Sequence, residues 1–270
     1  MNNHIDVDSY NERVVAYFPT YNEQEIGDLE QTQRQHQPSK TIIYLKKEYV
    51  SLFVKKGYRM EGSIIGFFNG VDGYVVSLYG SKERKTSKKI DQQGKILKTV
   101  EQIKPIHKLP PLDTKYSIRL ASHQDVKGLV QLYDTVFQKY PTPVFDENYV
   151  RKVMNDDYFY IIIKDGEKVV SAASAMINPF RSAEITDCAT DPNYRGKQFL
   201  SQIIIRLEEE LINRDVNYAY SLTRALSAGM NVTIKRLGYK YGGKLINNCI
   251  ISSGFEDMCI WSKQLKKADS

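Results

Sequence analysis

The stretch that decides the fold is 184–214, EITDCATDPNYRGKQFLSQIIIRLEEELINR. It opens with an alternating run ending at Thr190, which predicts a strand. Asp191 and Pro192 turn the chain. Arg195, Gly196 and Lys197 then lead into residues with Phe199, Leu200, Ile203, Ile204, Leu207, Leu211 and Ile212 on one helical face. A helix N-terminus presents unpaired backbone N–H groups and the positive end of the helix dipole, and so receives phosphate readily. Gly196 lets the backbone come close to an anion, and Arg195 and Lys197 add charge suited to a diphosphate. A plain strand-to-helix turn with two solvated basic residues would read the same way locally.

Outward from this turn, the chain alternates strands and helices. After it come a strand at 216–222, a helix at 227–237, and strands at 244–252 and 255–263. Before it come a strand at 116–121, helices at 123–140 and 146–154, and a hairpin of 158–164 and 168–177 around the DGE turn. Further upstream, 81–113 is basic and poor in large apolar residues, and it contains Pro110-Pro111. It reads as a solvated linker, with a short helix near 96–103, between an N-terminal unit (1–80) and a C-terminal unit (114–270). The N-terminal unit is read as a helix at 23–33, a strand at 41–45, a helix at 48–56, and strands at 63–68 and 73–78. GYRMEGSI at 57–64 echoes GYKYGGKL at 238–245, with three of eight positions identical in equivalent contexts. The N-terminal unit is therefore expected to be an incomplete copy of the end of the C-terminal one, without the phosphate turn.

Composition narrows the function. With 270 residues, 41% hydrophobic and 26% charged, the chain fits one large or two modest globular units. Its polar, acidic start is not a signal peptide, and its longest uncharged run, 169–180, is shorter than the about 20 residues that span a bilayer. Cys188, Cys249 and Cys259 form no C-x-x-C pair, and the four histidines lack ligand spacing. Reduced thiols, a cytoplasmic location and no metal site are expected. Net charge is +6, but the densest basic run, 82–89, carries no aromatics, so nucleic-acid binding ranks last.

The order of elements over 116–263 resembles the GCN5-related N-acetyltransferases (GNAT). DPNYRGKQFL resembles that superfamily's acetyl-CoA pyrophosphate loop, R/Q-x-x-G-x-G/A, with Arg195 in the first place but Gln198 and Leu200 where Gly and Gly/Ala are usual. Side chains there could crowd the diphosphate. More of the chain, at 55–79, 183–198 and 223–250, is similar to β-lysine N-acetyltransferases. This resemblance implies an α/β fold with a mixed central sheet flanked by helices, and acetyl-CoA as cosubstrate. The implied reaction is acetylation of the ε-amine of β-lysine, itself made by a lysine 2,3-aminomutase. Other readings are acetylation of another small amine or a protein lysine, or a CoA-binding protein without catalysis. The half-copy could build the acceptor pocket or pair two subunits as a homodimer.

Amine acetylation by a thioester needs a deprotonated amine, contact between the reactants and a donor for the developing oxyanion. Glu184, where the resemblance also places a glutamate, is the first choice as base. Asp187 is the second, as base or ammonium anchor; in a regular strand it would face away from Glu184, and a bulge would change that parity. The resemblance further implies that the backbone of Ala189 and Thr190 pairs with the pantetheine arm. The N–H groups of Gly196, Lys197, Gln198, Phe199 and Leu200 would hold the diphosphate, with Ser227 and Asn231 also near CoA. Ile234 stands where a thiolate-protonating tyrosine is usual, so no general acid is nominated. A substrate with two ammonium groups and a carboxylate calls for acids, amides and guanidinium; Arg224, Asn247, Asn248 and Glu256 are candidates.

Overall fold

The computed structural model describes residues 4–106, 108–155, 157–252 and 254–265. The chain opens with strands β1 (His4–Asp8) and β2 (Arg13–Phe18), then α1 (Glu23–His36), β3 (Lys40–Leu45) and α2 (Lys47–Lys55). The hairpin of β4 (Arg59–Phe68) and β5 (Val71–Tyr79) follows, then α3 (Lys82–Lys85) and α4 (Ile90–Glu101). The second part contains β6 (Tyr116–Leu120), α5 (Val126–Val136), α6 (Glu147–Val153), β7 (Tyr158–Asp165), β8 (Lys168–Ile177) and β9 (Ala183–Thr190). It ends with α7 (Phe199–Asn213), β10 (Tyr218–Arg224), α8 (Ala228–Arg236), β11 (Lys240–Ile251) and β12 (Gly254–Gln264). The strands form one mixed sheet in the order β1-β2-β3-β5-β4-β11-β12-β10-β9-β8-β7-β6.

Local chemistry explains the elements that matter. Every residue of β3 is buried, as a continuous KTIIYL run requires of a strand covered on both faces. On α7, Phe199, Ile203, Ile204, Leu207 and Leu211 recur at helical spacing and pack on strands β7 to β9. A second core lies on the opposite face, where Leu129, Leu132 and Tyr133 of α5 meet Tyr160, Ile162 and Ala172.

The two halves of the sheet repeat one another. The series β1-β2-β3-β5-β4 has the same sequence of antiparallel and parallel neighbours as β8-β9-β10-β12-β11. The halves join through β4 and β11, where Gly62 pairs with Gly243. A Cβ on Gly62 would stand 2.5 Å from the Gly242 carbonyl, and one on Gly242 would stand 2.0 Å from that of Ser63. The glycine bends of the two echoing sequences are thus the contact between the repeats. Beside them, Lys40 and Glu61 form a buried ion pair at 2.8 Å. Lys40 Nζ donates to the Ile246 carbonyl, and Glu61 accepts from the Ile246 amide (2.7 Å each).

Three expectations change. Strands β1 and β2 were not read from the sequence: β1 is a polar edge strand, and its register with β2 rather than its own pattern makes it β. The helix expected over 123–140 is a capped 3-10 turn followed by α5, which ends at Val136. The segment expected to be a solvated linker is exposed at most positions but carries two helices and three buried residues, Arg84, Gln93 and Val100. Arg84 is 3% exposed, lies 3.4 Å from the centre of the Phe255 ring and donates to the Asn11 carbonyl. Ile96, Leu97 and the buried Val100 of α4 join the α7 core.

Candidate active site

Strands β9 and β10 run parallel but pair at only two positions, Ala183 with Ala219 and Glu184 with Tyr220. Ser221 Oγ donates to the Ile185 carbonyl at 2.7 Å, and the ladder ends there. The equivalent pair in the N-terminal half, β2 and β3, stays in register over all six positions. The parted strands leave β9 and β10 backbone groups facing a cavity of about 670 Å³, bounded by Thr186 to Cys188 and Thr190 on one side and Leu222 to Arg224 on the other. An extended amide-bearing chain can add to such an opening as a strand.

The floor of the cavity is the start of α7. Its N-cap, Gln198, has φ +60° and makes no capping bond, so no cap side chain claims the first-turn N–H groups. The equivalent α1 is closed by the Asn22 side chain, which accepts from the Gln24 amide. The loop before α7 is firmly held. Asp191 accepts from the Asn193 amide (2.9 Å) and from Lys168 Nζ (2.6 Å), which keep its carboxyl below the usual range, and Tyr194 OH donates to Asp165. Gly196 has φ +82° with open space where a Cβ would point, so its requirement is conformational. Gln198 adopts the left-handed backbone that a glycine would favour. The left-handed turn therefore forms with glutamine in place of glycine, at the cost of about 1 kcal/mol of strain. Leu200 is half-buried and packs partly on the α7 core. Arg195 is exposed and lines the cavity; Lys197 is exposed.

Asp187 has φ +50°, and the β8–β9 register slips between Ala172 and Ser174. This bulge changes parity. Ile185 and Cys188 face the α7 core, while Ala189 faces the α5 core and Asp187 is bonded to Tyr158, which packs there. Glu184 and Asp187 therefore share a face. Asp187 Oδ2 accepts from Tyr158 OH (2.6 Å) and Ser174 Oγ (2.8 Å), and the residue lines the cavity. Burial pushes its carboxyl up, against the pull of these hydroxyls. Glu184 is pushed up to about 7, by burial first and then by Asp187, with Arg13 and the Tyr220 hydroxyl opposing. Glu184 is not among the residues that line the cavity; Ile185 and Thr186, which follow it in β9, are, and a carboxyl near neutrality at that position suits proton abstraction.

The other expected residues divide. Thr190, Phe199 and Ser227 line the cavity; Ala189 is buried and is not among the lining residues. Arg224 lines the cavity too, its guanidinium held bidentately by Glu256 at 2.8 and 2.6 Å. Glu256 thus orients Arg224. Of the three asparagines, two have side chains committed to internal bonds. Asn231 is buried, its Oδ1 taken by Thr223 and Trp261 and its Nδ2 by the carbonyls of Arg224 and Ser227. It ties α8 to β10 and β12 and has no group left for a cofactor. Asn247 is buried with Nδ2 on the carbonyls of Glu83, Arg84 and Thr86, so it anchors α3. Asn248 is also buried; its backbone carbonyl accepts from Arg13 at 3.1 Å, while its side-chain Oδ1 has no partner among the described residues. Residue type alone could not separate these internal bonds from ligand bonds. Sequence reasoning missed Tyr140, Tyr158 and Ser174 around Asp187, and Arg13, Tyr17 and Tyr44 around Glu184. The β-rich run RVVAYF at 13–18 was the available signal for the last group.

A GNAT acetyltransferase domain model matches residues 117–241. The N-acetyltransferase YodP of Bacillus subtilis is 36% identical, covering 97% of this chain and 95% of that protein. The β-lysine N(6)-acetyltransferase of Methanosarcina mazei is 34% identical, covering 84% of this chain and 91% of that protein. The chain belongs to the GNAT acetyltransferases. Among solved structures, the ribosomal-protein-S18-alanine N-acetyltransferase of Escherichia coli shares the fold at 18% identity, with 57% of this chain and 97% of that one covered and a TM-score of 0.50. The Salmonella typhimurium acetyltransferase yncA, solved with acetyl-CoA, gives 15%, 58%, 98% and 0.50. The GNAT enzyme described here transfers acetyl groups to amines and takes acetyl-CoA as cosubstrate. The parted strands and uncapped α7 N-terminus fit that molecule's amide-bearing arm and diphosphate. Among the described residues, no helix is long and apolar enough to cross a membrane, and no cluster of metal-ligating side chains is present.

Proposed function

We propose that this enzyme acetylates the ε-amine of β-lysine. The observation that carries the reading is the β-lysine N(6)-acetyltransferase of Methanosarcina mazei, whose likeness runs over 91% of its length and includes the N-terminal half that the single-domain fold neighbours lack. In this reading the carbonyl and N–H groups of Ala189 and Thr190 align the pantetheine arm, and the amides of Gly196 to Leu200 hold the diphosphate. Ser227 adds a cofactor contact at the start of α8. Glu184 takes the proton from the attacking ammonium, whose ordinary pKa of about 10.4 keeps it charged at neutral pH. The freed nitrogen attacks the acetyl carbon, the carbon–sulfur bond breaks, and the sulfur leaves as a thiolate that takes up a proton. Asp187 holds the ammonium in line, and Arg224, fixed by Glu256, faces the substrate side of the cavity. An aminomutase acting on lysine would supply the acceptor. The test is a thiol-release assay with acetyl-CoA and β-lysine, α-lysine and a lysine peptide. Highest kcat/KM with β-lysine is expected; turnover of the peptide alone would overturn the reading.

A further inference from the structure

The electrostatic neighbours of Glu184 include residues of the other half of the molecule. The charge of Glu184 is felt by Tyr17 and Tyr44 and is itself stabilised by Arg13, all on β2 and β3. The rings of Tyr17 and Tyr44 stack at 5.0 Å, and Tyr44 stacks on Phe67 at 5.1 Å. Phe67 meets Tyr220 of β10 at 5.5 Å, and Tyr220 is the register partner of Glu184. The repeat across the β4–β11 seam thus turns the β2–β3 face of one half toward the β9–β10 face of the other. The strand that carries Tyr17 also carries a guanidinium. Arg13 Nε donates to Asp8 at 2.8 Å and Nη1 to the Asn248 carbonyl at 3.1 Å, while the side chain keeps 18% exposure. Asp8 is itself fixed by the amide and side chain of Asn11, so the fork is rigid. A second guanidinium, Arg84, reaches the same Asn248 carbonyl at 3.5 Å and leaves Nε and Nη1 without partners. Arg13 and Arg84 thus meet at one carbonyl, and the charge of Arg13 acts on Glu184.

We propose that Arg13 receives the carboxylate of the acceptor, so that the N-terminal half sets the enzyme's preference for an amino acid over a simple polyamine. This deepens the β-lysine reading and rests on it. The substrate class is a carboxylate-bearing diamine whose reacting amine sits at Glu184 while its carboxylate lies against Arg13. A planar guanidinium with two nitrogens already fixed favours one carboxylate orientation, and the stacked tyrosines exclude water around the carbon chain.

The experiment measures kcat/KM for β-lysine and for 1,4-diaminopentane, its analogue without the carboxylate, in the wild type, Arg13→Gln and Arg13→Lys. The wild type is expected to prefer β-lysine by at least about 100-fold, the scale of a charge-assisted bidentate contact. Arg13→Gln should lose most of that preference, its loss on β-lysine exceeding its loss on the diamine by at least about tenfold, with a wild-type-like circular dichroism spectrum and urea midpoint checking that it folds. Arg13→Lys should fall between them. Equal loss on both substrates in both variants, or an unchanged preference, overturns the role of Arg13. A wild type that acetylates neither compound overturns the β-lysine reading itself, and the Arg13 assignment with it.

Discussion

Replacing Glu184 by glutamine removes the proposed base while keeping its shape. The structure supplies the magnitude. A carboxyl pushed up to about 7 is about 3% ionised at pH 5.5, half ionised at 7 and about 97% ionised at 8.5. kcat/KM for the ammonium substrate should therefore rise about 30-fold between pH 5.5 and 8.5 and then level. A carboxyl at its ordinary value would be almost fully ionised throughout that range. Glu184→Gln should lower kcat/KM by about 10²- to 10⁴-fold at pH 8, the usual worth of a positioned base. Its residual rate should climb with no plateau toward the amine's own pKa, because only the free-amine fraction then reacts. Stability gives an independent reading. The folded pKa lies above the unfolded one, so the wild type loses stability as pH rises from about 4.5 to 7, by a few kcal/mol at most for this half-buried group. The glutamine variant should not lose it. Rates measured by thiol release and urea midpoints across pH check both. An inflection near pH 7 that survives in Glu184→Gln would refute the assignment.

Three further outcomes follow from the geometry. Gly196→Val forces a β-branched residue to φ +82° and should raise the KM for acetyl-CoA at least tenfold, with the acceptor KM little changed in two-substrate kinetics. Asp187→Asn should lower acceptor kcat/KM by about 10- to 100-fold, the worth of a bond to a charged group, while acetyl-CoA affinity by calorimetry stays within threefold. Lys40→Met strands the Glu61 carboxylate at the seam and should cost about 3–5 kcal/mol in urea unfolding, whereas the double variant Lys40→Met/Glu61→Gln should recover part of it.

The sequence made the C-terminal architecture legible because its signals were local. The period of 199–212 and the punctuation at Asp191-Pro192 and Gly196 placed the phosphate turn. The echo of 57–64 in 238–245 falls on two glycine bends that meet across one sheet, although nothing in either octet says that they touch. What escaped was non-local. The Asp187 bulge is specified by hydroxyls from Tyr158 and Ser174, far away in sequence. Within the exposed basic run at 82–89, the burial of Arg84 was not legible because the ring that covers it belongs to Phe255. Asn231 and Asn247 carry the residue type of a ligand contact, but their partners are backbone and side-chain groups that only the folded chain assembles.

Hydrogen–deuterium exchange with and without acetyl-CoA tests most directly where the acyl donor docks. Slowed exchange is predicted at 187–190 on β9 and at 195–200 leading into α7, with the equivalent strands β2 and β3 and the start of α1 unaffected. Equal exchange at both of the former segments under saturating ligand, or protection confined to the N-terminal half, would contradict the account.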